Sequence, residues 1–189
     1  MGAQFVRGNA DRVLDVGDAD DTELWVRARH WVADRLGEER LVFLATLPLD
    51  LTLELDELGR VRFCHGAPGS DELAITPLTP DDRLRSLLAG VDERVVVCGH
   101  THLQFDRSLD GIRVVNAGSV GAPYEVDPAA YWALLGDDVE LRRTNYDVEA
   151  ALAAMAATGY PKAAEAGTFL RRDPERPEQV SRLIEENAG

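Results

Sequence analysis

The most constraining stretch of this chain is Val95-Val96-Val97-Cys98-Gly99-His100-Thr101-His102, an apolar run that ends abruptly in a glycine and two histidines. Three consecutive β-branched residues favour an extended strand, and the lack of polar alternation predicts burial on both faces of a sheet. Gly99 permits a sharp turn, so His100 and His102 stand where strand becomes loop, a usual place for metal and substrate sites. Neutral imidazole is the commonest metal ligand. The chain has four histidines in all, and two of them fall within these three positions. The spacing alone leaves two readings open: a ligand-binding loop, or a solvated loop that carries His-Thr-His.

Three other stretches have the same design. Val61-Arg62-Phe63-Cys64-His65-Gly66 reads as a strand that delivers a histidine and then a glycine. Gln4-Phe5-Val6-Arg7-Gly8-Asn9-Ala10-Asp11 reads as a strand-to-glycine turn presenting an asparagine and an aspartate. Ile112-Arg113-Val114-Val115-Asn116-Ala117-Gly118-Ser119-Val120-Gly121 makes a fourth. Around them, Leu51 to Leu55 alternates at period two and pairs through a turn at residues 56–59 with the strand ending at Cys64. Tyr131–Leu135 and Val139–Thr144 form a second hairpin through Gly136-Asp137-Asp138. Leu24, Trp25, Ala28, Trp31, Val32 and Leu36 recur at helical spacing, with Gly37 as a stop. His30 lies off that stripe and is assigned to the surface. Thr79 and Pro80 start a short helix to Leu88, with two aspartates in its first turn. Asp147 to Ala157 is an alanine-rich helix, and one more is expected near Glu178–Glu186. Strands, hairpins and peripheral helices together predict a layered α/β domain over residues 1–160, with a polar helical C-terminal tail over 161–189.

With 20 basic and 34 acidic residues the formal net charge is −14, a field that repels nucleic acid and anionic membrane surfaces. Cys64 and Cys98 lie in apolar strands and read as buried, reduced thiols. No signal peptide or membrane-length apolar run is visible, so a cytoplasmic location is expected.

The ordered set G-N-x-D, x-H-G, G-H-T-H and N-x-G-S-V-G resembles the calcineurin-like metallophosphoesterase family, most closely its small bacterial phosphodiesterase-like members, over about Gly8 to Tyr146. The resemblance implies a two-sheet β-sandwich flanked by helices. It also implies a metal-dependent phosphodiesterase or phosphatase that hydrolyses phosphate esters with a metal-activated water. Asn9, His65 and His100 would bind one metal, and His102 would help bind the other. The full family site holds two divalent ions, roughly 3.5–4 Å apart; nitrogen and oxygen ligands suit Mn, Fe, Zn or Ni.

The likeness has departures. The family's Asp-x-His block is absent, since no aspartate stands two residues before any histidine. Gly17-Asp18-Ala19-Asp20-Asp21 matches the letters of the Gly-Asp-x-x-Asp block but follows Asn9, and Asp20 with Glu23 reads better as a helix cap. The chain is therefore expected to be N-terminally incomplete, to lack the leading strands, to hold one metal or fewer, and to be impaired in catalysis. The family's usual catalytic histidine is replaced by Ala10, which leaves Asp11 as a turn or capping residue and favours substrates with good leaving groups. Asn116 and Ser119 read as turn formers or as phosphate-pocket residues, the former preferred. Arg7 and Arg12 flank the asparagine motif without an assigned role. The alternative from another class is a non-catalytic metal-binding or scaffold protein on the same fold. The expected partner is a phosphate ester, with neither nucleic acid nor membrane. Room remains for a homo-oligomer formed through the sheet surface that leading strands would cover.

Overall fold

The computed structural model describes residues 2–12 and 23–188, so the Gly17–Asp21 block and the Asp20 cap lie outside the described residues. Seven strands and five helices make up the described fold. The strands are β1 (Asp50–Leu55), β2 (Gly59–Cys64), β3 (Val95–Cys98), β4 (Gln104–Leu109), β5 (Ile112–Ala117), β6 (Ala130–Leu135) and β7 (Val139–Thr144). The helices are α1 (Glu23–Ala45), α2 (Asp81–Leu87), α3 (Val148–Ala157), α4 (Ala163–Phe169) and α5 (Arg176–Asn187). Five strands form one sheet in the order β1-β2-β3-β5-β4, and β6 and β7 form a separate hairpin. β2, β3 and β5 run parallel, flanked by antiparallel β1 and β4.

The strand periodicity divides the core in two. Val96, Cys98, Val114 and Cys64 point to one face and pack with Leu84 and Leu88 of the α2 region. Val61, Val95, Val97 and Val115 point to the other and pack against Val139, Ala133 and Leu135 of the β6–β7 hairpin. β3 is buried along its whole length, as its unbroken β-branched run requires. This is the expected two-sheet arrangement with helices on the outside.

Several elements differ from the sequence reading. Residues 2–8 form no strand; the Arg7 N–H donates to the Pro48 carbonyl at 2.7 Å, but no ladder follows. β4 was not expected, because Gln104-Phe105-Asp106-Arg107 carries two charges and one large apolar side chain. It is an edge strand, held by antiparallel pairing to β5 and by the Asp110-Gly111 turn, whose φ values of 51° and 89° suit a tight hairpin. Gly37 does end a helix, with φ 71° and ψ 167°, yet helical backbone resumes immediately to Ala45. Thr79 does not cap α2. Its hydroxyl faces Glu185 of α5 at 2.5 Å, and Pro80 takes the cap position without a side-chain bond. The 161–189 stretch carries α4, also unexpected, and α5. It is tied to the domain by Glu185 and by Lys162, whose ammonium lies 2.8 Å from the Trp25 ring centroid. Among the described residues no helix is long and apolar enough to cross a membrane.

Glu93 fixes how β1 and β2 meet β3. It is 1% exposed and accepts from Thr52 of β1 at 3.1 Å and from Arg60 and Arg62 of β2 at 2.9 and 3.0 Å. Burial pushes its carboxyl pKa up, but the hydrogen bonds from its own backbone and from Arg62 outweigh that and hold it below the ordinary value. A depressed carboxyl stabilises the fold above its unfolded pKa of about 4.3 and loses that contribution as pH falls through the folded value. Glu93→Gln should therefore destabilise the chain by about 2–4 kcal/mol at pH 7. In urea denaturation the gap to wild type should narrow as pH falls below about 4.

Candidate metal centre

Because β2 and β3 are parallel neighbours, the residues that follow them emerge at the same edge of the sheet. His65 follows β2 and His100 follows β3 by one residue, and the Gly99 N–H donates to the His65 carbonyl at 2.8 Å. The two rings meet edge to face with centroids 5.0 Å apart, and His65 Nε2 lies 3.2 Å from His100 Nδ1. Asn9 arrives from the opposite side on a single 3-10 turn (Asn9–Asp11), its Oδ1 3.0 Å from the same Nε2. Asp11 closes that turn, its carboxylate accepting from the Gly8 N–H at 2.7 Å. Gly8 is required by space: a Cβ there would stand 3.0 Å from the His65 ring.

Asn9 Oδ1 and His100 Nδ1 thus both stand against His65 Nε2. The Asn9 carbonyl oxygen can only accept, so the proton between it and His65 belongs to Nε2. That N–H also faces the lone pair of His100 Nδ1, so one proton serves two acceptors, and Nε2 could ligate only in the other tautomer of His65. Atoms bound at 2.0–2.1 Å to a common ion, at angles of 90–110°, are about 2.9–3.4 Å apart. The 3.0 and 3.2 Å separations of Asn9 Oδ1 and His100 Nδ1 from His65 Nε2 fall in that range, so each of these two pairs is spaced as two ligands of one divalent ion would be. Among the described residues no group of three or more His, Cys, Asp and Glu side chains stands together to hold a metal; the third donor is the Asn9 amide.

Burial lowers the pKa of all three imidazoles. His65 falls to about 4, through burial first and then through His100 and His102. His100 is lowered by burial and by His102, against a backbone hydrogen bond to Glu72. His102 is lowered by burial, against its bond to Ala122. Each is therefore neutral at pH 7, the form that ligates metals. His102 Nδ1 donates to the Ala122 carbonyl at 2.7 Å, which leaves its Nε2 as the lone-pair nitrogen. The ring stacks on Tyr124 with centroids 5.4 Å apart.

The loop that carries these histidines is strained and held. His100 and His102 have φ of 63° and 58°, a left-handed conformation that costs a non-glycine residue about 1–2 kcal/mol. Asn116, fully buried at the end of β5, donates to the Gly99 carbonyl at 2.6 Å and to the Thr101 hydroxyl at 2.9 Å. Its own carbonyl accepts from the Gly118 N–H at 2.9 Å. Asn116 is thus a buried brace for the histidine loop, while Ser119 is a turn residue whose hydroxyl accepts from the Ala122 N–H. Sequence reasoning also missed Asp71. It is buried, with Arg7 Nε and Arg12 Nε at 3.4 and 3.3 Å, so the two flanking arginines serve this carboxylate. Cys64 and Cys98 are free, buried thiols on the α2 side of the sheet, and burial raises both pKa values.

The geometry defines an α/β domain with a cluster of histidines at the carboxyl edge of its parallel strands. The model of the calcineurin-like phosphoesterase superfamily domain matches residues 2–137, and the chain belongs to that superfamily. A hypothetical protein from Pyrococcus horikoshii OT3 aligns with a TM-score of 0.73 at 19% identity, covering 89% of this chain and 72% of its own. A metallophosphoesterase from Sphaerobacter thermophilus aligns with a TM-score of 0.67 at 21% identity, covering 87% of this chain and 76% of its own. At such identities the likeness shows the fold. No curated protein matches the sequence.

Replacing Asn116 by alanine should take the side-chain acceptor from the Gly118 N–H, and should leave the Gly99 carbonyl with only the Thr101 N–H and the Thr101 hydroxyl with only the Ile75 carbonyl. The expected cost is about 2–3 kcal/mol in urea denaturation. The His100 and His102 ring signals should broaden in NMR spectra, while His30, exposed on α1, stays sharp.

Proposed function

We propose that this chain is a metal-dependent phosphoric ester hydrolase whose Asn9, His65 and His100 hold one divalent ion, with His102 beside them. The observation that carries the reading is the approach of Asn9 Oδ1 and His100 Nδ1 to His65 Nε2, at 3.0 and 3.2 Å. Asn9, His65 and His100 would hold such an ion, and the chemistry it would supply is an acidified water and positive charge for the phosphoryl oxygens. The chain's own residues supply the rest. Burial keeps the imidazoles neutral, and the Ala122 carbonyl fixes the His102 tautomer so that Nε2 faces away from it as an acceptor. Ala10 has no proton to give a departing alkoxide, so esters with acidic alcohols are the favoured substrates.

A second reading rests on one observation. Among the described residues no group of three or more His, Cys, Asp and Glu side chains is placed to hold a metal, whereas the family's dinuclear site employs a bridging carboxylate. Slow turnover is therefore expected, and a non-catalytic metal-binding protein is the alternative. Elemental mass spectrometry after Mn²⁺ loading and desalting, paired with hydrolysis of bis(p-nitrophenyl) phosphate, tests both. We expect Mn²⁺ to be retained by wild type and lost from His65→Ala and His100→Ala, with hydrolysis lost in parallel. Retained metal without turnover would establish the non-catalytic reading, and turnover unchanged in both variants would overturn the assignment.

Two substitutions probe the site more finely. Gly8→Ala drives a methyl against the His65 ring and should weaken Mn²⁺ binding about 10–100-fold, read by isothermal titration. Ala10→His should restore a proton donor and raise turnover of esters with poor leaving groups by on the order of 10²-fold.

A further inference from the structure

A cleft of about 620 Å³ lies between α5 and the histidine loop. Its lining includes His100 on one side and Leu73, Tyr124, Val180, Leu183 and Ile184 elsewhere. Tyr124 also stacks on His102, so the cleft touches His100 directly and reaches His102 only through the Tyr124 ring. Val180, Leu183 and Ile184 recur at i, i+3 and i+4 and share one face of α5. That face meets the cleft instead of a packed core, leaving Leu183 58% and Leu73 49% exposed. α5 is pinned in place by Glu185, whose carboxylate accepts from Thr76 and Thr79 at 2.6 and 2.5 Å and pairs with Arg83 at 2.6 Å.

The charges of the cleft select among ligands. Arg83 lies in the lining, but its charge is offset by Glu185. Glu72, also in the lining, adds an acidic group near His100. A second phosphate or a carboxylate would meet no uncompensated cation among these lining residues, whereas an uncharged ring would recover the hydration cost of the exposed leucines.

We propose that this cleft seats the alcohol portion of the phosphate ester and selects uncharged, apolar or aromatic groups, with the phosphate toward His100. The proposal rests on the hydrolase reading for the phosphate end and on α5 alone for the alcohol end. It assigns Leu183 and Ile184 as specificity-determining residues.

The test uses the full chain and two non-hydrolysable probes, phenylphosphonate and methylphosphonate. Methyl resonances of Val180, Leu183 and Ile184 report on the cleft, and Mn²⁺ broadening of the His65 and His100 rings reports separately on the metal centre. We expect saturable shifts of the α5 methyls with phenylphosphonate and none with methylphosphonate. The affinity difference should be about ten-fold. Leu183→Asp, at an exposed position that tolerates charge, should abolish that difference while Mn²⁺ broadening persists, and Ile184→Ala should reduce it. Shifts that are absent, or that map away from α5, would overturn the proposal, as would an unchanged preference in Leu183→Asp. Loss of Mn²⁺ broadening with the α5 shifts intact would remove the metal reading and leave the cleft assignment standing.

Discussion

The parallel pairing of β2 with β3 is the constraint on which the rest of the site depends. Its register sets Val61 against Val95 and Phe63 against Val97, so the two chains leave the sheet side by side and His65 comes to rest against His100. A slip of one residue would turn the valines of β3 to the wrong faces and separate the rings. The register is held from both ends. Glu93 ties the entry of β3 to Arg60 and Arg62 of β2, and the Gly99–His65 backbone bond ties the exit. Core packing and site geometry are therefore one requirement: the alternation that buries Val95 and Val97 under the β6–β7 hairpin also aims the histidines.

Strain in the loop is concentrated where the ligand atoms are. Two histidines in left-handed conformation cost together about 2–4 kcal/mol, which the loop alone could not offset. Asn116 offsets part of it, since its two hydrogen bonds to Gly99 and Thr101 contribute about 1 kcal/mol each. Further bonds to the loop, from the Tyr124 N–H to the His102 carbonyl and from the Thr101 hydroxyl to the Ile75 carbonyl, leave it no freedom to relax. The result is preorganisation: the imidazoles are already close enough to share a proton before any ligand arrives.

Much of this was legible in the sequence, for reasons that can be named. An unbroken β-branched run fixes a central strand, alternation fixes hairpins, and a glycine–histidine junction at a strand end marks the site edge. Asn9, His65 and His100 could be singled out because their neighbours follow a local pattern. What stayed hidden was non-local. Asn116 looks like a turn former in isolation, and only its burial against Gly99 and Thr101 makes it a brace; the one clue was a polar residue closing an apolar strand. Asp71 is one acidic residue among many until Arg7 and Arg12 close over it. β4 carries too little apolar character to announce itself, because an edge strand borrows its stability from the partner. α5 reads as a solvated helix, since the Glu185 anchor that docks it depends on Thr76, Thr79 and Arg83 about a hundred positions earlier.

The same burial that suits the imidazoles to a metal makes them poor hosts for an anion. Neutral at pH 7, they bring no charge to meet a phosphate, and the chain around them is strongly acidic overall. The nearest arginines do not change this, because Arg7 and Arg12 are turned toward Asp71, and Arg12 also pairs with Glu72. On the proposed reading, a phosphate ester at this edge of the sheet would be held weakly by the protein's own charges, and its apolar end would gain more from the α5 cleft than its phosphate from the histidines. On the proposed function, affinity divides between two separate sources: positive charge brought by a bound cation, and hydrophobic contact supplied by Leu183 and its neighbours. Such a division lets the acidic surface repel polyanions while the site still accepts a singly phosphorylated, apolar ester.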